Sequence, residues 1–209
     1  MLRVDQLETV VQPPLSFSVP DGECLAVEGP SGAGKTRLLR AIADLDPVAG
    51  YVFLDGAERR EMRGTQWRRH VRFVAAEPGW WAPTAGEHMP SGPRLERLVA
   101  ALGLEARHLT AQLSELSTGE RLRLAFIRAL ADEPRVLLFD EPTASLDAAN
   151  AALIEELIRF ECLAGRCVVL VSHDAGVIER LAHQRLLLAR PRAALTTGTG
   201  GGLTARATQ

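Results

Sequence analysis

The stretch Gly29-Pro30-Ser31-Gly32-Ala33-Gly34-Lys35-Thr36 matches the pattern G-x-x-x-x-G-K-[ST], and its flanks suit it. Before it, Cys24-Leu25-Ala26-Val27 reads as a buried strand; after it, Arg37-Leu38-Leu39-Arg40-Ala41-Ile42 reads as a helix. Strand, turn and helix in that order make an anion nest. The glycines let the backbone turn sharply and bring consecutive N–H groups onto a phosphate, and the helix N-terminus adds positive partial charge. Lys35 then reaches the β- and γ-phosphates of a nucleotide, and the Thr36 hydroxyl faces Mg²⁺. Lys35 is also the single lysine among 24 basic residues. Arginine supplies the positive charge everywhere else, and only here does the chain keep a compact ammonium, which a planar guanidinium fork does not replace in a tight phosphate pocket.

The 209 residues suit one large domain, or one domain with a small insert. With 46% hydrophobic and 24% charged residues, the chain has material for a sizeable core. A formal net charge of −2 gives no general attraction to nucleic acid or anionic lipid. Cys24, Cys162 and Cys167 form no C-x-x-C pair, which points to reduced, structural thiols and no metal site. The N-terminus lacks a basic segment followed by an apolar one, and no run approaches the roughly 18 apolar residues of a membrane span. The expectation is a cytoplasmic chain; if it works at a membrane, another chain must cross it.

Two further apolar runs end in chemistry. Val136-Leu137-Leu138-Phe139 leads into Asp140-Glu141, and Cys167-Val168-Val169-Leu170-Val171 into Ser172-His173-Asp174. Runs apolar on both faces suit central strands of a parallel sheet covered by helices on each side, where ligands sit beyond the carboxyl ends of the strands. Phosphate loop, carboxylates and histidine are therefore expected on one sheet edge. Earlier, Leu15, Phe17 and Val19 alternate as an edge strand before the turn Pro20-Asp21-Gly22, and Tyr51-Val52-Phe53-Leu54 and Val71 to Ala75 read as strands. Leu95, Leu98, Val99 and Leu102 lie at helical spacing between Pro93 and Gly103, a small helical block between strands. Leu116-Ser117-Thr118-Gly119-Glu120 opens a second helix, with Ser117 and Glu120 spaced as a capping box. Leu153, Leu157 and Phe160, with Ile154 and Ile158, give the apolar side of a connecting helix closed by Gly165. Residues 191–209 are rich in Thr, Gly and Ala and are expected to be a disordered tail.

Taken in order, the phosphate loop, Leu116 to Glu120, Val136 to Glu141 with Ser145-Leu146-Asp147, and Ser172-His173-Asp174 resemble the nucleotide-binding subunit of ATP-binding cassette (ABC) transporters, over about residues 2 to 190. The resemblance implies an α/β P-loop NTPase fold of RecA-like type: a mainly parallel sheet core with an inserted helical subdomain and an N-terminal antiparallel β region. It implies one cassette over 1–190, its core about 1–75 and 126–190 and its helical subdomain about 76–125. It also implies ATP and Mg²⁺ as ligands, Gly29 to Thr36 as the ATP cradle, and Asp140 with Thr36 at the metal. Glu141 would be the general base and His173 the residue that contacts the γ-phosphate. In such proteins two cassettes, as homodimer or heterodimer, meet head to tail, so Leu116 to Glu120 would serve the partner's nucleotide and Ser145, Leu146 and Asp147 would couple the two sites. A separate transmembrane permease subunit and a place on the inner face of the membrane follow from the same resemblance; no nucleic acid is expected.

Three departures stand out. Where such proteins commonly have Gln before the helical block, this chain has Ala76, with Glu77 beside it as a carboxylate that could face Mg²⁺ or water. Where they tend to place an aromatic residue for the adenine, this chain has Val10 and Val11, which predicts loose base selectivity. Trp80-Trp81 falls in the loop that faces the membrane subunit in that family, and the pair suits packing on the helical block as well as receiving a partner. Two other functions compete: a soluble cassette ATPase acting on nucleic acid or ribosomes, and a non-hydrolysing switch. The first lacks the long coiled-coil insert or second cassette such members carry. Glu141 and His173 together disfavour the second.

Overall fold

The computed structural model describes residues 1–189, so the expected tail lies outside the described residues. The two classes of strand separate into two sheets. Strands β1 (Leu2–Thr9), β2 (Gln12–Val19), β4 (Ala49–Leu54) and β5 (Ala57–Glu58) form an antiparallel sheet in the order β2-β1-β4-β5. Pro13 and Pro14 are tolerated there because β2 is an outer strand, where a missing N–H breaks no ladder on the open side.

Strands β3 (Cys24–Glu28), β6 (Val71–Val74), β7 (Val136–Asp140), β8 (Cys167–Val171) and β9 (Gln184–Leu187) form the second sheet, parallel throughout, in the order β6-β7-β8-β3-β9. Its central strands are buried along their whole length, and alternate residues feed two different cores. Val136 and Leu138 of β7, with Val169 and Val171 of β8, pack with the antiparallel sheet, α1 (Lys35–Ile42) and α2 (Gly64–His70). Leu137 and Phe139, with Val168 and Leu170, pack on the other side under α3 (Pro93–Ala101), α5 (Thr118–Leu130), α6 (Ala148–Leu163) and α7 (Ala175–Leu181). A short α4 (Arg107–Thr110) lies between α3 and α5. Phe126 of α5 stacks on Phe139 with ring centroids 4.6 Å apart, worth about 0.5–1.5 kcal/mol beyond the area it buries.

The strand register decides where the chemistry sits. Val27 pairs with Val171, and Val171 with Asp140, so the strand ends before the phosphate loop, before His173 and before Glu141 are level across three neighbouring strands. That is the shared edge expected from the sequence.

One expectation needs correcting. Phe160 is not on the buried side of α6; it is 62% exposed, whereas Ile154, Leu157 and Ile158 are buried. Seven residues beyond the half-buried Leu153, it lines an open hollow facing α3 instead of the sheet. The thiols behave as expected: Cys24, Cys162 and Cys167 are buried and unpaired. Burial pushes Cys162 and Cys167 up to about 11, and Cys24 above the ordinary thiol range, so none is a thiolate at neutral pH.

Candidate functional site

The nest closes around an intrachain bond. Gly34, in left-handed backbone at φ 89°, is the residue before the first turn of α1, and a Cβ there would come within 2.2 Å of Val11 Cγ2. Only glycine fits between the loop and the β1–β2 turn. Lys35 is 8% exposed and its Nζ donates to Gly29 O at 2.7 Å and Pro30 O at 3.3 Å, which holds the ammonium across the mouth of the loop. Behind the loop lies a residue that pattern matching passed over. Gln12 is buried, and its Nε2 donates to Ala33 O and to Ala189 O, both at 2.7 Å. The signal available in the sequence was a long amide directly after the apolar pair Val10-Val11, which by itself says only strand. Gln12→Ala is expected to loosen the nest and weaken ATP binding by about tenfold, the order of one lost buried hydrogen bond. A fluorescent-nucleotide titration checks it; unchanged affinity would show that the loop keeps its shape unaided.

Beyond the strand tips the acidic residues converge. Thr36 Oγ1 donates to Asp140 Oδ2 at 2.7 Å, and Asp140 is 7% exposed. Glu141 follows in left-handed backbone, φ 50°, a conformation costly for a non-glycine residue, and its N–H donates to Val171 O at 3.0 Å. Its carboxylate is thereby aimed along β8. Oε2 accepts from the His173 backbone N–H at 3.2 Å, while Oε1, shielded from solvent, has no hydrogen-bond partner and lies 3.4 Å from His173 Nε2. The His173 ring itself is mostly exposed. Phosphate loop, Thr36, Asp140, Glu141 and His173 line one hollow of about 310 Å³. Glu141 thus brings a carboxylate to the hollow that holds the phosphate loop, the kind of group that accepts a proton from water.

The metal expectation fits part of this set. Thr36 and Asp140 present adjacent oxygens beside the nest, the donor type a hard cation takes, and no cluster of three or more metal-binding side chains exists among the described residues. Mg²⁺ suits that arrangement because it takes one or two protein oxygens and fills its octahedron with phosphate and water. Glu77 is not brought to the nest: it is exposed and opens on a neighbouring hollow with Thr118, Arg121 and Ser145.

Leu116 to Glu120 also lies outside the nest, and none of the five lines its hollow. Ser117 caps α5: Ser117 Oγ accepts from Glu120 N–H at 3.2 Å and Glu120 Oε2 accepts from Ser117 N–H at 2.7 Å. His108 Nε2 stands 3.3 Å from Glu120 Oε1. The capping box is therefore real, and it leaves Ser117 and Thr118 exposed at a helix N-terminus. Gly119 packs against Leu146, whose Cδ2 would lie 3.3 Å from an added Cβ. Ser145 is exposed beside Leu146, and Asp147 caps α6, accepting from Asn150 N–H at 2.9 Å. The Ser117 backbone N–H, then the Ser117 hydroxyl and His108, hold the Glu120 carboxyl below its ordinary 4.5. A depressed carboxyl stabilises the fold above its ordinary pKa, and that stability is lost as pH falls below it. Wild type should therefore melt about 1 °C above Glu120→Gln at pH 7, since Gln keeps the capping acceptor and only the partly screened charge is lost, and the gap should close as pH falls from 4.5 past the depressed value. Calorimetry at both pH values tests this; a gap that persists in acid would contradict it.

The two tryptophans part company. Trp80 packs on the helical core, whereas Trp81 is 78% exposed beside His88 and Arg128. His88 ties the loop down, Nε2 accepting from Trp81 N–H and Ala82 N–H, both at 3.1 Å, and Nδ1 donating to Thr84 O at 2.9 Å.

A family model described as ABC transporter matches residues 13–144, more than half of the chain and including the nest, the capping box and Glu141. The chain belongs to the ABC transporter family. As an ABC cassette it is similar to protein STAR1 of Oryza sativa subsp. japonica, 35% identical over 186 residues that cover 83% of this chain and 54% of that protein. It is also similar to ABC transporter I family member 17 of Arabidopsis thaliana, 33% identical over 180 residues, 80% of this chain and 68% of that one. This cassette thus spans about half of the one relative's length and two thirds of the other's. Among solved structures it matches the dimeric structure of MJ0796, a bacterial ABC transporter cassette, with a TM-score of 0.79 and 25% identity over 90% of this chain and 94% of that one.

Proposed function

We propose that this cassette binds MgATP in the nest and hydrolyses it, that two cassettes close head to tail around the nucleotide, and that closure drives a separate membrane-spanning partner. The carrying observation is that Glu141 lines the same hollow as Lys35, Thr36 and Asp140, while Ser117 lies exposed outside it. The base and cradle are together in one chain; the remaining anion-binding helix end is free for the other.

In this reading the loop N–H groups and Lys35 hold the β- and γ-phosphates, which requires Lys35 to exchange its carbonyl partners for phosphate oxygens. Thr36 and Asp140 would hold Mg²⁺, which supplies charge neutralisation at the β and γ oxygens. Glu141 takes a proton from water as the water oxygen bonds to the γ-phosphorus and the bond to the bridging oxygen breaks, giving ADP and phosphate. His173, 3.4 Å from that carboxylate, keeps it oriented and reaches toward the departing phosphate. Ser117 and the Gly119 N–H of the facing cassette bind the same γ-phosphate, so its loss removes the anion both halves share and the dimer opens.

No helix among the described residues is long and apolar enough to cross a membrane. Exposed Trp81, rimmed by His88, Arg128 and Asp132, is the surface we assign to that partner. Membranes bearing the partner should sediment the cassette and raise its phosphate release, and Trp81→Ala should weaken both. Sedimentation with ribosomes or DNA instead would contradict the transport role.

A further inference from the structure

The start of α5, assigned above to the nucleotide of the facing cassette, is aimed from behind. Ser117 Oγ accepts from Glu120 N–H, so its own O–H is left to donate outward, and the Thr118 and Gly119 N–H groups have no partner among the described residues. Where these three donors point depends on the Glu120 carboxylate, because its Oε2 takes the Ser117 backbone N–H at 2.7 Å. A glutamate side chain turns about three bonds, and a single hydrogen bond at its tip leaves much of that freedom in place.

A second contact removes it. His108 of α4 is 8% exposed, and its Nε2 stands 3.3 Å from Glu120 Oε1. An ionised carboxylate has no proton to give, so the ring proton sits on Nε2 and faces Glu120, while the bare Nδ1 accepts from Glu105 N–H at 2.9 Å. Both ring nitrogens are spent on one geometry. The segment that carries the ring is itself fastened at two points. Before it, Leu104 N–H donates to Val99 O of α3 at 2.9 Å; after it, Leu113 N–H donates to Pro83 O at 2.9 Å, and Thr84 is bridged to Gln112. The helical block therefore holds His108, His108 holds Glu120, and Glu120 holds Ser117. A capping box closes a helix with two residues, so a buried imidazole behind it contributes direction to the cap.

We infer that His108 is a positioning residue for ATP hydrolysis, holding Glu120 so that the Ser117 hydroxyl and the Thr118 and Gly119 N–H groups meet the γ-phosphate bound by the facing cassette. The inference rests on the two-chain reading above and adds to it a residue in the helical block, behind the groups that meet the nucleotide.

Mixed dimers test it, because each site in them has a known owner. Mixing full-length Lys35→Ala with Ser117→Arg leaves one live site, made from the nest of the second chain and the Ser117 end of the first. His108→Leu, which keeps the bulk and loses the donor, should lower phosphate release at saturating ATP about fivefold when carried on the Lys35→Ala chain, the size of one long hydrogen bond. Carried on the Ser117→Arg chain, whose Ser117 end is already out of use, the same substitution should leave the rate within about twofold, as for independent sites. His108→Gln, with an amide N–H to offer Glu120, should restore most of the loss on the Lys35→Ala chain. Equal loss whichever chain carries His108→Leu would overturn the inference by making His108 a prop for the fold alone, and so would no loss on the Lys35→Ala chain. Should His108→Leu leave the chain unfolded, His108→Gln carries the test: release close to that of the parent mixture is expected, and a loss of about fivefold on the Lys35→Ala chain overturns it. No release from the parent mixture, with His108 intact in both chains, would count instead against the two-chain site itself.

Discussion

Glu141→Gln retains ATP binding and releases phosphate about 10²–10³-fold more slowly than wild type, the usual worth of a positioned general base. The amide keeps the size of the carboxylate and its carbonyl oxygen still accepts from the His173 backbone N–H, so the left-handed turn at φ 50° and the strand-tip geometry survive. What goes is the basic oxygen. Steady-state phosphate release together with nucleotide titration reads the two halves separately, and the variant should accumulate as an ATP-bound dimer by light scattering. Turnover equal to wild type would remove Glu141 as the base, and lost ATP binding would make it a binding residue.

Much of this site was legible before any coordinates. The apolar runs ending at Phe139 and Val171 have both faces buried, and that pattern alone set Asp140, Glu141 and His173 on the edge where the phosphate loop opens. Less legible were contacts whose partners are remote in the chain. Gln12 grips Ala33 and Ala189, the latter 177 residues away, and no local pattern announces a buried amide. Glu155 is buried in α6 because Arg180 of α7 pairs with both its oxygens, at 2.7 and 2.8 Å. Helix α2, rich in arginine, shows no apolar stripe; it is fastened by Trp67, whose Nε1 donates to Ile42 O. Phe160 misled because helical spacing reports which residues share a side of a helix, while burial depends on whether a neighbour reaches that far along it.

Lys35→Ala should weaken ATP binding on the order of a hundredfold, about 2–3 kcal/mol, and abolish turnover at ordinary ATP concentrations. Lys35 is buried, so its removal leaves the phosphate site without a charge that water replaces poorly. Loss of the charge also strips the loop of its tie to Gly29 O and Pro30 O. Melting temperature without nucleotide should barely fall, because the packing of α1 rests on Leu38, Leu39 and Ile42. Undiminished ATP affinity in a folded Lys35→Ala would contradict the cradle outright.

The central claim is that each nest is finished by the facing cassette, and mixing two dead variants tests it most directly. Lys35→Ala has a broken nest and an intact Ser117 end; Ser117→Arg has the reverse. Phosphate release should be negligible for each alone and reappear on mixing, because one of the two composite sites in the mixed dimer then unites an intact nest with an intact Ser117. A mixture no more active than its separate components would contradict a site built from two chains.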